Sequence, residues 1–191
     1  QPIPPEGVYA RHKLIGEELV AEETNGTGKS MRHDIVVDYH GEHPSGFIGK
    51  LLGQDGNVLL DNTQIRQPVD ARDLLHAAMI VAQSDKITDV IHVPGTSEGM
   101  TKFEIAQALH QNLSPKQQER RTIRKSNVVY SPGATPRPKK SVLDSRKHAQ
   151  LEAEGFVYTP LIETFSRIAE AYEAQEGRIR GEGVISGSKE R

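Results

Sequence analysis

Cysteine and tryptophan are absent from the 191-residue sequence, and aromatic residues make up only 5% of it. Without cysteine there are no disulfide bonds, no thiolate metal ligands and no cysteine nucleophile. No apolar run approaches the roughly 20 residues that a membrane-spanning helix needs, and no basic-then-apolar leader opens the sequence. These absences predict a cytoplasmic protein with no membrane partner.

The formal charge is close to balanced at −2, but the charges are unevenly distributed. Residues 116–148 contain ten Lys and Arg residues and only two acidic residues, so the rest of the chain is acidic. This pattern predicts a basic surface loop region on an acidic body. Tyr130 is the only aromatic residue in that region and the overall charge is negative, so no nucleic-acid partner is expected.

Helical patterns alternate with short apolar runs, which is typical of an α/β fold. The apolar spacing predicts helices over 6–23, 47–52, 70–82, 101–111 and 145–154, a last helix from 161, and strands at 35–37, 58–60 and 90–93. Glycine, serine and charged residues dominate the end of the chain. We therefore predict a folded part at 1–176 and a flexible tail at 177–191.

Local signals mark where several of these helices begin. Asp70 is a predicted N-cap, and Thr101 with Glu104 forms a predicted capping box. Ser114, followed by Pro115 at the first helical position, is predicted to begin another helix in the same way. Val8, Ile15 and Leu19 recur at helical spacing in the first helix. Leu74, Leu75, Ala78 and Val81 form the expected buried stripe of the helix at 70–82.

Tyr9 and Lys13 lie four residues apart, on one face of the first predicted helix. An ammonium near a phenol favours the phenolate, which lowers the phenol pKa toward working pH and suits it to general acid–base chemistry at a carbonyl. The alternative is a Tyr and a Lys that share a surface by chance. Spacing alone leaves both interpretations open.

Four stretches carry a resemblance to a known family: Tyr9-Ala-Arg-His-Lys13 followed by Gly16-Glu17, Arg66-Gln-Pro68-Val69…Asp73-Leu74, Met100-Thr-Lys-Phe-Glu104, and Arg137-Pro-Lys-Lys-Ser141-Val-Leu-Asp144-Ser-Arg-Lys147. These four stretches, in this order along the chain, resemble the motifs of the extended short-chain dehydrogenase/reductases. Within that family they resemble the dTDP-4-dehydrorhamnose reductases and the related regulatory β subunits of methionine adenosyltransferase.

The resemblance implies roles for the pair on the first helix. Tyr9 would protonate the C4 oxyanion of a nucleotide-linked sugar as a nicotinamide delivers hydride. Lys13 would bind the nicotinamide ribose and lower the Tyr9 pKa. The cofactor would be NADP or NAD, and the fold would combine the back of a Rossmann-like sheet with a small α/β substrate-binding subdomain.

No glycine-rich dinucleotide turn follows a strand in this sequence, although the family carries one far upstream of its tyrosine. The chain is therefore expected to lack the N-terminal cofactor half, to bind NADH or NADPH poorly and to be inactive in this truncated form. The alternative function is a regulatory subunit whose partner is the methionine adenosyltransferase catalytic subunit. A remnant that cannot fold stably alone is a third possibility.

The basic region offers candidate substrate ligands. Arg137, Lys139 and Lys140 are predicted to meet the diphosphate of a nucleotide sugar, because Arg and Lys donors match phosphate oxygens. The alternative is a solvated surface in which these cations bind nothing.

Two further motifs have ordinary explanations. Gly26-Thr-Gly-Lys-Ser30 resembles the end of a phosphate-binding loop, but Glu23 stands where that loop needs glycine, and a surface turn is expected. A dense set of potential metal ligands includes His33, Asp34, Asp38, His40, Glu42 and His43. We expect a polar loop there and no metal, although a divalent ion is the alternative.

Overall fold

The computed structural model describes residues 8–40, 46–87, 90–95, 98–127, 140, 143 and 145–185. The described residues form helices and strands in the order α1 (Val8–Glu23), β1 (Met31–His33), β2 (Val36–Val37), α2 (Gly46–Leu52), β3 (Gly56–Asp61), β4 (Ile65–Arg66), β5 (Val69–Asp70), α3 (Ala71–Gln83), β6 (Ile91–Val93), β7 (Met100–Thr101), α4 (Lys102–Gln111), α5 (Pro115–Glu119), β8 (Arg121–Ser126), α6 (Ser145–Ala153) and α7 (Leu161–Ile185). The fold class is α/β, as predicted.

Four strand pairs connect these elements. β1 pairs in parallel with β6, β2 with β5, and β3 with β8, whereas β4 and β7 are antiparallel. Each parallel partner lies far along the chain, and α3 is the connection from β5 to β6. Parallel strands need such crossovers, which explains why helices alternate with strands.

The core has two parts. One lies around β5, α3, β6 and α6 and contains Val81, Ile91, Val93, Leu151 and Phe156 among its buried residues. The other is larger and joins α2, β3, α4 and α7. Its most deeply buried side chains include Ile105, Leu109, Phe165 and Ile168.

The predicted capping residues lie at the observed starts of the helices. Asp70 caps α3 through a side-chain bond from the Arg72 N–H at 2.8 Å. Thr101 and Glu104 form the predicted capping box on α4. Ser114 is the N-cap residue of α5 and Pro115 opens that helix, as predicted, but the Ser114 side chain makes no capping hydrogen bond, so that part of the prediction is wrong.

Two other expectations need correction. Val81 is buried in α3 as predicted, but Leu75, placed by the periodicity in the same stripe, is 65% exposed, and Asp73 and Ala77 are buried instead. The last helix continues to Ile185, beyond the predicted boundary at 176. The flexibility of residues 177–191 stays a prediction.

A close backbone crossing holds the loop after β6 against β5. Gly95 has φ +75°, and a Cβ added there would lie 1.9 Å from the Pro68 carbonyl oxygen. Only glycine therefore fits this crossing without moving backbone. Within the described part of the chain, none of the helices has both the length and the apolar character needed to cross a membrane.

Candidate functional site

Tyr9 and Lys13 are brought together on α1, as their spacing predicts. The Lys13 Nζ lies 5.5 Å from the centroid of the Tyr9 ring. Tyr9 is 76% exposed. The pair is thus open to an incoming ligand, and its catalytic role stays a prediction.

The helix that carries this pair has no buried residue. Val8, Ile15 and Leu19, the apolar residues that recur at helical spacing, are each about half exposed or more. A bidentate ion pair from Arg32 on β1 to Glu17 holds α1 to the body, with N–O distances of 2.7 and 2.5 Å. The apolar stripe of α1 therefore has no cover among the described residues.

The basic segment is only partly described. Arg137 and Lys139 lie outside the described residues. Lys140 is exposed and forms an isolated parallel bridge with Ile65 of β4. The Leu143 N–H donates to the Oε1 of Gln67 at 2.8 Å. These two links hold Lys140 and Leu143 beside β4 and the residue that follows it.

Arg66 also lies in β4, next to the residue that bridges to Lys140. It was not among the predicted site residues. It follows Ile65 in β4, so it flanks the bridge that holds Lys140. Its Nη2 donates to the Gln64 Oε1 at 2.8 Å, and its Nε lies 3.9 Å from the Asp34 Oδ1. The Arg-x-Pro motif at 66–68 was the signal that could have identified it.

The loop after β2 is anchored to α7. Arg167 donates to Asp38 at 3.0 Å and to both oxygens of buried Asp70 at 3.0 and 2.9 Å. The Tyr39 hydroxyl donates to the Gln175 Oε1 at 3.0 Å. The ends of β2, α3 and α7 are therefore joined by one polar network.

The charge state of Asp70 follows from this network. Burial raises the pKa of the Asp70 carboxyl, but the Arg72 N–H, the Arg167 guanidinium and the Thr164 hydroxyl all donate to it and lower its pKa. The hydrogen bonds outweigh burial, so the pKa lies below its ordinary value.

The described potential metal ligands near β1 do not converge. Asp34 accepts from the Gln67 N–H at 3.0 Å, whereas Asp38 binds Arg167. Glu42 and His43 lie outside the described residues. In the part of the chain that is described, no three His, Asp or Glu side chains are grouped to hold a metal ion.

The glycine-rich loop at 26–30 has a structural task. The Lys29 Nζ donates to the Val81 and Ser84 carbonyl oxygens at 2.8 and 2.5 Å, and so binds the end of α3. The Gly28 N–H donates to the Thr24 Oγ1 at 2.6 Å. This supports the predicted surface turn, because the lysine is already occupied by carbonyl oxygens.

An open cavity of about 390 Å³ lies between α2, β3 and the start of α4. Its apolar wall includes Phe47, Leu51, Val58 and Leu60. Lys50 and Lys102 also line it, and the Lys102 Nζ lies 5.6 Å from the Phe47 ring centroid. An apolar wall with two ammonium groups suits a ligand that has both a flat apolar part and negative charge.

A family model described as the RmlD substrate binding domain matches residues 1–169. No curated protein sequence matches the chain. Solved structures that resemble it include a dTDP-glucose 4,6-dehydratase from Streptomyces venezuelae with NAD and TYD bound, at a TM-score of 0.68 and 18% identity, covering 92% of this chain and 54% of that one.

Two further structures show the same fold. A dTDP-4-dehydrorhamnose reductase from Bacillus anthracis in complex with NADP has a TM-score of 0.67 at 18% identity, covering 88% of this chain and 56% of that one. A UDP-N-acetylglucosamine 4-epimerase from Methanobrevibacter ruminantium has a TM-score of 0.65 at 17% identity, with 92% and 56% covered. The chain thus spans a little over half the length of these structures and has part of their Rossmann-like fold.

Proposed function

This chain belongs to the RmlD substrate binding domain family, and from that membership we propose that it is the substrate-side part of an NAD(P)-dependent reductase of nucleotide-linked 4-keto sugars. The observation that carries the proposal is the family match over residues 1–169, which includes both the Tyr9–Lys13 pair and the basic segment at 137–140. The specific reaction proposed is the reduction of dTDP-4-dehydrorhamnose.

The proposed reaction converts the C4 carbonyl of the sugar to an alcohol. The reduced nicotinamide supplies the hydride. Tyr9 gives its phenolic proton to the C4 oxygen as the C–H bond forms, and water returns a proton to Tyr9. The Lys13 ammonium favours the transient phenolate by its positive charge.

The described residues fit only part of such a cofactor. Lys13 is exposed beside Tyr9 and can donate to ribose hydroxyls. A pyrophosphate needs backbone N–H groups at a glycine turn that follows a strand, whereas the loop at 26–30 follows α1 and commits Lys29 to α3. We therefore propose that the 191-residue chain binds NAD(P) poorly and is inactive by itself.

Substrate binding is proposed for the cations near β4. Lys140 is exposed at its bridge to Ile65, and Arg66 flanks that bridge. Arg137 and Lys139 precede Lys140 directly in sequence. Charge-assisted hydrogen bonds from such a group to a diphosphate are among the strong ones in proteins.

Calorimetric titration of the 191-residue chain with dTDP tests this binding. Lys140→Ala is expected to weaken dTDP binding about tenfold, the equivalent of one charge-assisted hydrogen bond. Lys116→Ala is the matched control, because Lys116 is an exposed cation of the same basic region on α5. Equal effects of the two variants would show that only general positive charge is being measured.

A fluorescence titration with NADH and NADPH tests the cofactor part. No saturation is expected in the low micromolar range. Tight binding to this chain would contradict the proposal that the chain binds NAD(P) poorly, and it would leave the dTDP result unaffected.

The second candidate is a regulatory subunit in the cytoplasm that binds the methionine adenosyltransferase catalytic subunit. The sequence Met100–Glu104, which resembles that of the regulatory β subunits, supports this candidate, as does the uncovered apolar stripe of α1. A pull-down with the purified catalytic subunit tests this candidate. Tyr9→Phe should leave the capture unchanged, because docking needs no proton transfer.

A further inference from the structure

Strand β8 has one paired edge and one edge that the described residues leave unpaired. It lies beside β3 in a two-stranded parallel sheet, and no other described strand pairs with it. An unpaired edge presents backbone N–H and C=O groups that another extended chain can bind. The reductase chemistry proposed above does not use this edge.

The register shows which backbone groups of β8 lie on the unpaired edge. At the start of the ladder the Gly56 N–H donates to the Arg120 carbonyl oxygen at 2.7 Å. Alternate residues of a parallel strand bind the same neighbour, so the even-numbered residues of β8 bind β3. The N–H and C=O groups of Ile123 and Lys125 therefore point away from β3, and within the described part of the chain they have no backbone partner.

The beginning of this edge is closed, and the part that follows is open. The His110 Nε2 lies 3.2 Å from the Arg121 carbonyl oxygen, which is on the same edge as the groups of Ile123. Next to it, an open cavity of about 530 Å³ borders Thr122 and Ile123 and extends to α4 and α5. An incoming strand can therefore pair from Ile123 onward, with room for a side chain beside that residue.

Two exposed cations flank the open part of the edge. Arg124 and Lys125 are neighbours in β8, so their side chains lie on opposite faces of the sheet. The Lys125 Nζ lies 5.1 Å from the Phe103 ring centroid, and neither cation forms an ion pair with a described residue. Pairing of two β8 strands would bring these like charges together, which disfavours a second copy as the occupant. An acidic strand complements them.

We propose that the free edge of β8 adds an acidic, extended peptide of a partner protein as a third strand. The peptide backbone would exchange hydrogen bonds with Ile123 and Lys125. Its residue opposite Ile123 would be apolar, because that side chain would enter the cavity near the Glu119 carboxylate. Its residues opposite Arg124 and Lys125 would be acidic. In this mode of binding the backbone supplies affinity and the side chains supply specificity.

Hydrogen exchange measured by NMR on the 191-residue chain tests the proposal, with the blocked peptide Glu-Glu-Val-Glu-Glu as the probe. This sequence is the same in either strand direction. Saturating peptide should slow exchange of the Ile123 and Lys125 amides about tenfold or more. The Thr122 and Arg124 amides should not change, because they already bind β3. If all four amides were equally protected in the free chain, the edge would already be covered and the proposal would be wrong.

Modified peptides separate strand pairing from charge attraction. A strand turns only alternate amides toward one neighbour, so N-methylation of one alternate set should abolish the protection and N-methylation of the other set should be tolerated. Equal effects of the two sets would overturn strand addition. The peptide Lys-Lys-Val-Lys-Lys should give no protection, and protection equal to that by the acidic peptide would overturn the role of the cations.

Two charge reversals give the second readout, the Kd of the acidic peptide from the same titration. Arg124→Glu should raise this Kd about tenfold, because it removes one attraction at the edge and adds a repulsion. Arg178→Glu makes the same change at an exposed arginine of α7 and should alter the Kd by less than about twofold, since solvent and salt screen it. Equal effects of the two variants would reduce the binding to general attraction and overturn the site.

Discussion

Helices α1 and α4 both carry apolar side chains at helical spacing, but only α4 buries them. α4 buries Phe103, Ile105, Ala106 and Leu109, whereas α1 buries no residue. Apolar periodicity thus predicts that a helix forms without showing what covers it. The comparison also separates two tasks: α4 holds the fold together, and α1 presents the Tyr9–Lys13 pair from an exposed surface.

The largest expected effect lies in the ion network of the body. Arg167→Met leaves the Asp70 side chain, which is 1% exposed, without its cation. Breaking such a buried pair costs about 3–5 kcal/mol of unfolding free energy, measurable by urea denaturation. Arg178→Met, an exposed arginine farther along α7, should cost less than about 0.5 kcal/mol. A similar cost for both would mean that the network contributes little.

The same carboxylate predicts a pH dependence. The pKa of Asp70 is lower in the folded state than its ordinary value of 3.8, so its stabilisation is present above that value. It is lost as pH falls through the lower folded-state pKa. Urea denaturation between pH 7 and pH 3 should show a decline at the acid end that is shallower in Arg167→Met. If the free energy of unfolding fell equally steeply at acid pH in Arg167→Met, the decline could not be assigned to Asp70.

A leucine in each helix compares the two regions directly. Leu109→Ala opens a cavity at a fully buried site in α4 and should cost about 2–5 kcal/mol. Leu19→Ala, at a position that is 50% exposed on α1, should cost less than about 0.5 kcal/mol. Thermal and urea denaturation of both variants measure the contrast. A large cost at Leu19 would reveal that α1 is packed in solution.

Helix capping gives a smaller contrast. Thr101→Ala removes the capping box of α4 and should cost about 1 kcal/mol. Ser114→Ala removes no side-chain cap and should be close to neutral. Chemical denaturation of the pair tests whether the two Ser/Thr positions differ as their hydrogen bonds do.

The smallest effect is expected at the attachment of α1. Glu17→Gln weakens the ion pair to Arg32, whose side chain is 43% exposed. Partly exposed pairs contribute about 0–1 kcal/mol, and salt screens them. Hydrogen exchange should nevertheless show faster opening of α1, with α4 unchanged. Equal protection of α1 in both proteins would mean that other contacts hold it.

Local features of the fold could be predicted from sequence, and features set by distant partners could not. The caps at Asp70 and Thr101 depend on three or four neighbouring residues, so their motifs were sufficient. β8 was missed because Arg121, Arg124 and Lys125 suggested a solvated loop. The fold instead buries Arg121, whose Nε and Nη2 donate to the Gln54 and Leu52 carbonyls and to the Tyr172 hydroxyl at 3.1 Å, while its Nη1 has no hydrogen-bond partner among the described residues.

The candidate site divides in the same way. Tyr9 and Lys13 are neighbours on one helix, so spacing alone brought them together. Lys140 reaches β4 through its bridge to Ile65, the neighbour of Arg66, and no local pattern of the sequence contains that bridge. Leu75 was misplaced for a related reason, since packing against β5, β6 and α6 decides which face of α3 is covered.

The glycine crossing at Gly95 bears on how this protein can diverge. Any side chain at that position would collide with the Pro68 carbonyl oxygen, next to the segment that carries Arg66 and Gln67. The exposed stripe of α1 has no comparable restriction. In a saturation library selected for folding of this chain, position 95 should tolerate almost no replacement, whereas positions 8, 15 and 19 should drift freely. Substitutions can therefore accumulate on the exposed face of α1, whereas the backbone crossing of Gly95 and Pro68 must be kept.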